Sequence, residues 1–239
     1  MFGAMRIRRG PSEGDSGHRL PPALARLPTD RGRLRREFVE RDQRDRILLA
    51  ALNVFGTKGF AAATIKDLIE EAPVSRATFY KHFPDKDACL LALAKEVLGW
   101  LEEEARAAAL EAADWPAAVV TVTRLLIELL REDPRLARLC GIELLLGGAE
   151  VRARRDAALD AIAEGLRRGR TERPWGERLP QTLEALLAQG GAALAASRLA
   201  YGSTAPAPEL ADEIAEIVLI SYLGAEDARR VVRPSRPRR

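Results

Sequence analysis

Apolar residues recur at helical spacing along most of this chain. Ile47, Ala51 and Phe55 repeat at every fourth position and give one apolar face to a helix predicted to start at Arg41. Glycines then end this helix, and Phe60 is expected to turn inward. We find neither an internal repeat nor the alternating pattern of a half-buried strand. The pattern predicts an all-α fold.

Two short helices with a tight break between them are predicted next. Thr64 precedes the first one, and Asp67 stands three residues later, which is a capping-box signature. Ser75 is a good N-cap for the second helix. Phe79 and Phe83 lie four residues apart and should anchor that second helix to the core. This layout is typical of a helix-turn-helix that reads DNA, although a plain pair of surface helices gives the same spacing.

The rest of the chain predicts further helices with short breaks. They are expected at Lys86 to about Glu104, Trp115 to Leu130, Asp133 to Leu146, Ala149 to Arg170, Pro180 to Tyr201, and Glu209 to Leu223. From composition and pattern we divide the chain into four parts. These are a disordered basic arm (1–40), a helix-turn-helix domain (41–90), a helical regulatory and dimerisation domain (91–228) and a disordered Arg-rich tail (229–239).

The charge is unevenly distributed. Residues 99–228 carry fourteen Arg against twenty-two acidic residues, whereas residues 229–239 carry six Arg and no acidic residue. A polyanion such as DNA would repel the acidic body, while the two termini and the helix-turn-helix can approach it.

The sequence gives little indication of a catalytic site or a metal site. Cys89 and Cys140 lie in apolar helical runs, which predicts two buried thiols. His18 and His82 are far apart, and no cluster has the spacing of metal ligands. We therefore expect no catalytic residue, metal or cofactor. No run reaches the roughly 18 apolar residues of a membrane span, so a cytoplasmic location is expected.

The second short helix carries side chains that suit a major groove. Arg76 can bind guanine or a phosphate, Thr78 can serve either role, and Tyr80 and Lys81 are natural phosphate ligands. Ala77 is small enough to let the helix approach and to contact a thymine methyl group. Thr64 and Lys86 also qualify, because each stands at a helix start, where free N–H groups favour an anion.

These residues resemble the DNA-binding domain of the TetR family of bacterial transcriptional regulators. The likeness covers about residues 44–90 and rests on Phe55, Gly59-Phe60-Ala61, Thr64 to Leu68, and the run from Ala72 to Lys86. One position departs from the family pattern, because Pro73 stands where the turn usually has glycine. Proline excludes a positive φ, so we expect another turn conformation or a tilted recognition helix.

The resemblance implies an all-helical protein with an N-terminal three-helix helix-turn-helix domain and a C-terminal domain for dimerisation and ligand binding. It implies a homodimeric regulator, by default a repressor, on a palindromic operator, with an unknown small-molecule effector and no enzymatic activity. It places Thr64, Tyr80, His82 and Lys86 near phosphates, and Arg76, Ala77, Thr78 and Lys81 near bases or the adjoining backbone. Ser75, which caps the recognition helix, is included with these DNA-binding residues.

The helices over 180–201 and 209–223 are the predicted dimer interface. The first is rich in small residues, and the second carries a stripe of Leu210, Ile214, Ile217 and Ser221 with Val218 beside it. Core packing within one subunit is the alternative.

A ligand pocket is expected among the helices from 99 to 170. The candidate lining residues are Trp100, Trp115, Leu126, Ile142, Glu143 and Leu146. Glu143 interrupts an apolar run, and its alternative role is an ion pair with a nearby arginine.

Two other functions remain open at this point. A non-specific architectural protein would bind DNA through the Arg-rich tails and would not distinguish a palindrome from random duplex. An enzyme on a helical bundle would need a nucleophile with a base, or a metal, and the sequence offers neither arrangement.

Overall fold

The computed structural model describes residues 20–25, 36–200 and 207–233, and all regular structure in these ranges is helical. Most of the predicted basic arm and the end of the predicted tail lie outside them. The first five helices are α1 (Pro22–Ala25), α2 (Arg36–Lys58), α3 (Ile65–Glu71), α4 (Arg76–His82) and α5 (Lys86–Glu111). Helices α2, α3 and α4 form the predicted three-helix domain, and α5 leads from it into the rest of the molecule.

The predicted arm ends earlier than residue 40. Helix α2 begins at Arg36, five residues before the expected start, because no glycine or proline interrupts the sequence there. Upstream, α1 packs on α2, and Leu24 is buried in the same core as the helix-turn-helix. Burial of an apolar side chain accounts for the ordered contact within a segment that we expected to be disordered.

The remaining helices form the body of the protein. They are α6 (Trp115–Glu132), α7 (Pro134–Arg138), a π-helical turn (Leu139–Glu143), α8 (Leu144–Leu146), α9 (Ala149–Arg167), α10 (Leu183–Ala200), α11 (Ala207–Leu223) and α12 (Ala225–Val232). Two short 3-10 turns, Arg168–Thr171 and Gly176–Arg178, lie within or next to the predicted loop between α9 and α10. The helix expected from residue 133 to 146 is therefore interrupted by the π-helical turn.

The predicted disordered tail is wrong at its start. Helix α12 contains Arg229 to Val232, because Ala228 and Val232 bury their side chains against α6 and α11. Gly224 separates α11 from α12 with a φ of 85°, which favours glycine.

Two main cores hold the molecule. One contains the apolar faces of α2 to α5 together with Leu136, Leu139 and Leu144 from the body. The other joins α6, α11 and α12 around Tyr222. Cys89 is buried in the first core, and burial raises the pKa of its thiol to about 12. Because the first core includes residues of both regions, the helix-turn-helix is packed directly on the body.

Candidate nucleic-acid interface

Helix α3 starts at the predicted capping box. The Asp67 amide donates to Thr64 Oγ1 at 3.2 Å, and the Thr64 amide donates to Asp67 Oδ2 at 2.7 Å, which confirms the prediction. Lys58 Nζ lies 2.6 Å from the same carboxylate oxygen. The hydrogen bonds from Lys58 and Thr64 lower the pKa of Asp67 to about 2. The start of α3 is thus fixed by side chains within nine residues of one another.

The turn between α3 and α4 differs from our expectation. Pro73 has a φ of 26°, so the turn keeps the positive φ that we expected proline to exclude. The Ala72 amide donates to the Leu68 carbonyl at 2.9 Å, and the Val74 amide donates to the Ile69 carbonyl at 3.3 Å. These bonds match a Schellman helix end, except that proline has no N–H for the second bond of the motif. The turn therefore has the path that glycine usually makes, with added backbone strain.

Helix α4 is capped and anchored as the sequence predicts. Ser75 Oγ accepts a hydrogen bond from the Thr78 amide at 3.0 Å, and the two hydroxyl oxygens lie 2.8 Å apart. Phe79 is fully buried and Phe83 is 4% exposed. Their burial turns the opposite side of α4 toward solvent.

The outward side of α4 is polar and accessible. Arg76 lies over the Tyr80 ring at 5.7 Å, and Tyr80 meets the Phe79 ring edge to face at 5.6 Å. The surface thus presents a guanidinium, an ammonium and a phenol group, which suit bases and phosphates. Of the predicted contact residues on this helix, Arg76, Ala77, Tyr80 and Lys81 are exposed, and Thr78 and His82 are partly exposed.

Lys86 has a structural role that the sequence did not predict. Its ammonium donates to the Phe60 carbonyl at 2.8 Å and to the Ala63 carbonyl at 3.0 Å, and lies 4.4 Å from the centre of the Phe60 ring. The first residue of α5 therefore fixes the loop that leads into α3. The sequence indicated Lys86 only as a phosphate ligand, from its position at a helix start and from the family resemblance.

The body contacts this loop through a buried carboxylate. Glu143 Oε2 accepts a hydrogen bond from the Phe60 amide at 2.6 Å, and Glu143 Oε1 accepts one from Arg138 Nε at 2.8 Å. Arg138 also donates to the Thr57 carbonyl at 3.3 Å. The ion pair that we left open as the alternative for Glu143 is therefore present.

The other predicted ligand residues are spread over several elements. Leu126 on α6 and Ile142 in the π-helical turn are partly buried, while Leu146 on α8 is 55% exposed. Trp100 on α5 donates its indole N–H to Glu104 at 3.2 Å. Trp115 donates its indole N–H to the Gly165 carbonyl at 3.0 Å. A ligand role for these residues stays a prediction.

The predicted dimer helices expose only part of the stripe that we expected. Leu210, Ile214 and Val218 pack inside the subunit, since the neighbouring helices of the body cover them. Ile217 and Ile220 on α11 are 53% and 39% exposed. On α10, Leu186 is 69% exposed.

Residues 20–25, 36–200 and 207–233 contain neither a candidate membrane span nor a candidate metal cluster. None of the helices there combines the length and the apolar character that a membrane crossing requires. In the same ranges, no three His, Cys, Asp or Glu side chains come together as a metal site.

A capped, exposed second helix held by buried aromatic residues defines a helix-turn-helix protein. Residues 47–93 match the family model for bacterial regulatory proteins of the tetR family. The HTH-type transcriptional regulator RutR of Escherichia coli K12 is 34% identical over 103 residues, which cover 42% of this chain and 47% of RutR. The likeness to the tetR family thus lies in residues 47–93, which contain the helix-turn-helix.

Solved structures extend the likeness to the body. The fatty acid degradation regulator FadR from Bacillus halodurans has a TM-score of 0.66 at 20% identity, covering 74% of this chain and 94% of FadR. FadR from Bacillus subtilis, solved with stearoyl-CoA, has a TM-score of 0.62 at 20% identity, covering 75% of this chain and 97% of that protein. At this identity the likeness shows the fold. The chain spans less than half the length of the curated relatives it matches.

Proposed function

We propose that this chain is a transcriptional regulator that places α4 in the major groove of duplex DNA. The observation that carries this proposal is the polar outer face of α4, which is exposed while Phe79 on its inner face is fully buried. A short helix held in this way can reach base edges without losing its position. Ala77 lies at the exposed surface and leaves room for close approach.

Electrostatics support the same orientation. Arg76 and Lys81 are exposed on α4, whereas residues 99–228 carry an excess of acidic residues. Phosphates attract the first surface and are repelled by the second, which favours docking through α4. In this proposal Lys86 acts mainly by fixing the loop before α3, and Thr64 and Ser75 act mainly as helix caps, beside any phosphate contact that they make.

We propose further that two copies associate through α10 and α11. Leu186, Ile217 and Ile220 leave apolar surface exposed on these helices. A twofold contact would bury this surface and would present two α4 helices to the two halves of a palindromic site. We propose that residues 41–90 recognise DNA and that residues 91–228 carry the regulatory function. We also propose a cytoplasmic location, because the protein is proposed to bind DNA.

The regulatory ligand is proposed to be a small molecule bound in the body, and repression is the proposed sign of control. The family resemblance supports both proposals. The Bacillus subtilis FadR structure contains stearoyl-CoA, which makes this compound a starting point for a ligand screen. Loss of DNA affinity on addition of a compound would identify an effector, and a screen without any such compound would count against ligand control.

The DNA proposal is tested with duplexes that the full chain selects from a random pool. Their affinity is measured by fluorescence anisotropy at several salt concentrations, against a scrambled duplex. Lys81→Ala should lower the slope of log affinity against log salt by about 1, as expected for one lost phosphate contact. Lys95→Ala is the matched control, since Lys95 is also exposed but lies on α5.

Two results would overturn the proposal. One is equal loss in the Lys81 and Lys95 variants, and the other is failure to select any duplex. Equal affinity for selected and scrambled DNA, lost when residues 1–19 and 234–239 are deleted, would favour the architectural alternative.

The dimer proposal has its own test by analytical ultracentrifugation. Leu186→Glu should shift the protein toward monomer, because a carboxylate would be buried at the proposed interface. Leu110→Glu is the control, since Leu110 is 73% exposed and belongs to α5, which is outside the proposed interface helices. A monomeric parent, or equal dissociation in both variants, would contradict the proposal.

A further inference from the structure

The backbone of Phe60 is held from two sides. Its N–H donates to Glu143 of the body at 2.6 Å, and its C=O accepts from Lys86 of α5 at 2.8 Å. The Phe60 side chain is 6% exposed and packs edge to face on Phe55. Both polar groups of one residue are thus bound by side chains from different parts of the chain, which fixes its position closely.

On the side of the body, the Phe60 amide is bound by a buried, charged side chain. Glu143 is 1% exposed, and its second carboxylate oxygen accepts a hydrogen bond from Arg138 Nε at 2.8 Å. Gly59 is tightly enclosed there, because a Cβ atom on it would lie 2.9 Å from Arg138 Nη2. Its φ of 88° also favours glycine. A buried carboxylate with both oxygens bonded has a defined orientation, since any displacement leaves a charge without partners.

On the side of the helix-turn-helix, the contact reaches both ends of the DNA-reading unit. Lys86 also bonds the carbonyl of Ala63, the residue before the N-cap of α3. Lys86 itself begins α5, four residues after His82 ends α4. Displacement of Phe60 would therefore change the entry to α3 and the exit from α4 together.

The same π-helical turn touches the proposed dimer region. Glu143 is its last residue, and Gly141 lies in its middle. A Cβ atom on Gly141 would lie 2.0 Å from the Cβ of Ala196 on α10, so the turn packs closely against α10 at this point. A π-helical turn departs from regular helix geometry and often marks a functional position. Here it joins α10 to the loop at Phe60.

We propose that Glu143 is a positioning residue for the helix-turn-helix and belongs to this junction rather than to a ligand pocket. Its carboxylate, oriented by Arg138, holds the Phe60 amide and thereby sets how α3 and α4 sit on the body. A shift of α10 then reaches the DNA-reading helix through the π-helical turn. This inference deepens the proposed function and rests on it.

Glu143→Gln and Glu184→Gln form a matched pair for the test. Glu184 is also fully buried and bonded by an arginine, Arg170, but it contacts Tyr222 instead of the loop at Phe60. Two quantities are measured well below the unfolding temperature: affinity for the selected duplex and amide hydrogen exchange over residues 57–64. Circular dichroism checks that each variant is folded.

Glu143→Gln should weaken DNA binding about tenfold and raise exchange at the Phe60 amide by a similar factor, since one charged hydrogen bond is lost. Glu184→Gln should leave exchange at the Phe60 amide within about twofold of the parent, because Glu184 does not contact this loop, although the change lowers stability. Arg138→Lys gives a second variant, which keeps the charge and loses the planar fork, and it should show a smaller effect at the same amide.

Equal increases in exchange at the Phe60 amide in the two Gln variants would overturn the proposal, because they would show general destabilisation. Unchanged exchange at Phe60 in both Glu143→Gln and Arg138→Lys would also overturn it, whether or not the parent binds DNA. A parent that selects no duplex, but shows the exchange difference, would refute the proposed function and leave Glu143 as a structural link.

Discussion

Helix α4 and the body differ in where their charged side chains lie. Helices α3 and α4 are capped by short polar side chains and held by buried phenylalanines, while the basic side chains of α4 remain at the surface. In the described residues, the buried acidic side chains all lie in the body, and each is paired with an arginine. They are Asp133, Glu143 and Glu184.

The ion pair of Glu184 illustrates the internal use of charge. Arg170 bonds its two carboxylate oxygens at 2.7 and 2.9 Å, and the Tyr222 hydroxyl donates to it at 3.2 Å. Burial would raise the pKa of Glu184, but the hydrogen bonds and positive charge of Arg170 outweigh it and hold this pKa below its usual value. Burial and the adjacent carboxylate raise the pKa of Tyr222. The buried carboxylates of the body therefore maintain structure, whereas Arg76 and Lys81 lie on the exposed face of α4 that we propose binds DNA.

The largest expected effect on stability comes from removing a buried aromatic side chain of the helix-turn-helix. Phe79→Ala should cost about 3–5 kcal/mol of unfolding free energy, because it empties a fully buried aromatic site. Tyr80→Ala, at the neighbouring exposed position, should change stability by less than about 1 kcal/mol and weaken DNA binding instead. Urea titration measures the first quantity and anisotropy the second. Equal stability losses would remove the distinction between the two faces of α4.

Removing a carboxylate of the body should cost nearly as much stability without a direct effect on DNA. Glu184→Ala leaves the Arg170 guanidinium without its buried partner and should lower the unfolding free energy by about 3 kcal/mol. The affinity of the folded protein for duplex DNA should stay within about twofold of the parent. A large affinity loss in the folded variant would show that the ion pair of Glu184 also contributes to DNA binding.

A smaller change, of opposite sign, is expected at the turn of the helix-turn-helix. Pro73→Gly should raise the unfolding free energy by about 1 kcal/mol, since relief of a strained φ outweighs the added freedom of the unfolded chain. Pro134→Gly is the control, because Pro134 opens α7, where proline is favourable, and this change should lower stability. Thermal unfolding distinguishes the two. A loss of stability in Pro73→Gly would show that the turn is unstrained.

The smallest effect concerns acid sensitivity of the cap on α3. Hydrogen bonds from Lys58 and Thr64 hold the pKa of Asp67 in the folded protein at about 2, below its ordinary value of 3.8. Its stabilising contribution is therefore complete above pH 3.8 and is lost as the pH falls toward 2. Asp67→Asn should flatten this part of the curve of melting temperature against pH. Identical slopes in parent and variant would show that the capping box does not contribute in this range.

The elements that the sequence predicted well depend on neighbouring residues. Thr64 and Asp67 are three residues apart, and Phe79 and Phe83 are four apart, so a helical period reveals their partnership. Glu143 and Phe60 are 83 residues apart, and no local pattern indicates their contact. Contacts between residues so far apart along the chain become visible only in the folded structure.

Two predictions failed for identifiable physical reasons. The turn at Pro73 was judged from the preferred φ of proline alone, but the surrounding hydrogen bonds keep the path that a glycine would take. The tail from Arg229 was judged from composition, yet the burial of Val232 against distant helices keeps its first residues helical. Hydrogen bonds of the helix end override the local preference at Pro73, and tertiary contacts override it at Val232.

Hydrogen–deuterium exchange of the full chain, with and without its selected duplex, tests the central claim most directly. We expect DNA to slow exchange over residues 64–86, with the largest effect on α4, and to leave α6 and α11 unchanged within error. Protection centred on the body, or no protection over 64–86 at saturating DNA, would contradict the assignment of α4 as the DNA-reading helix.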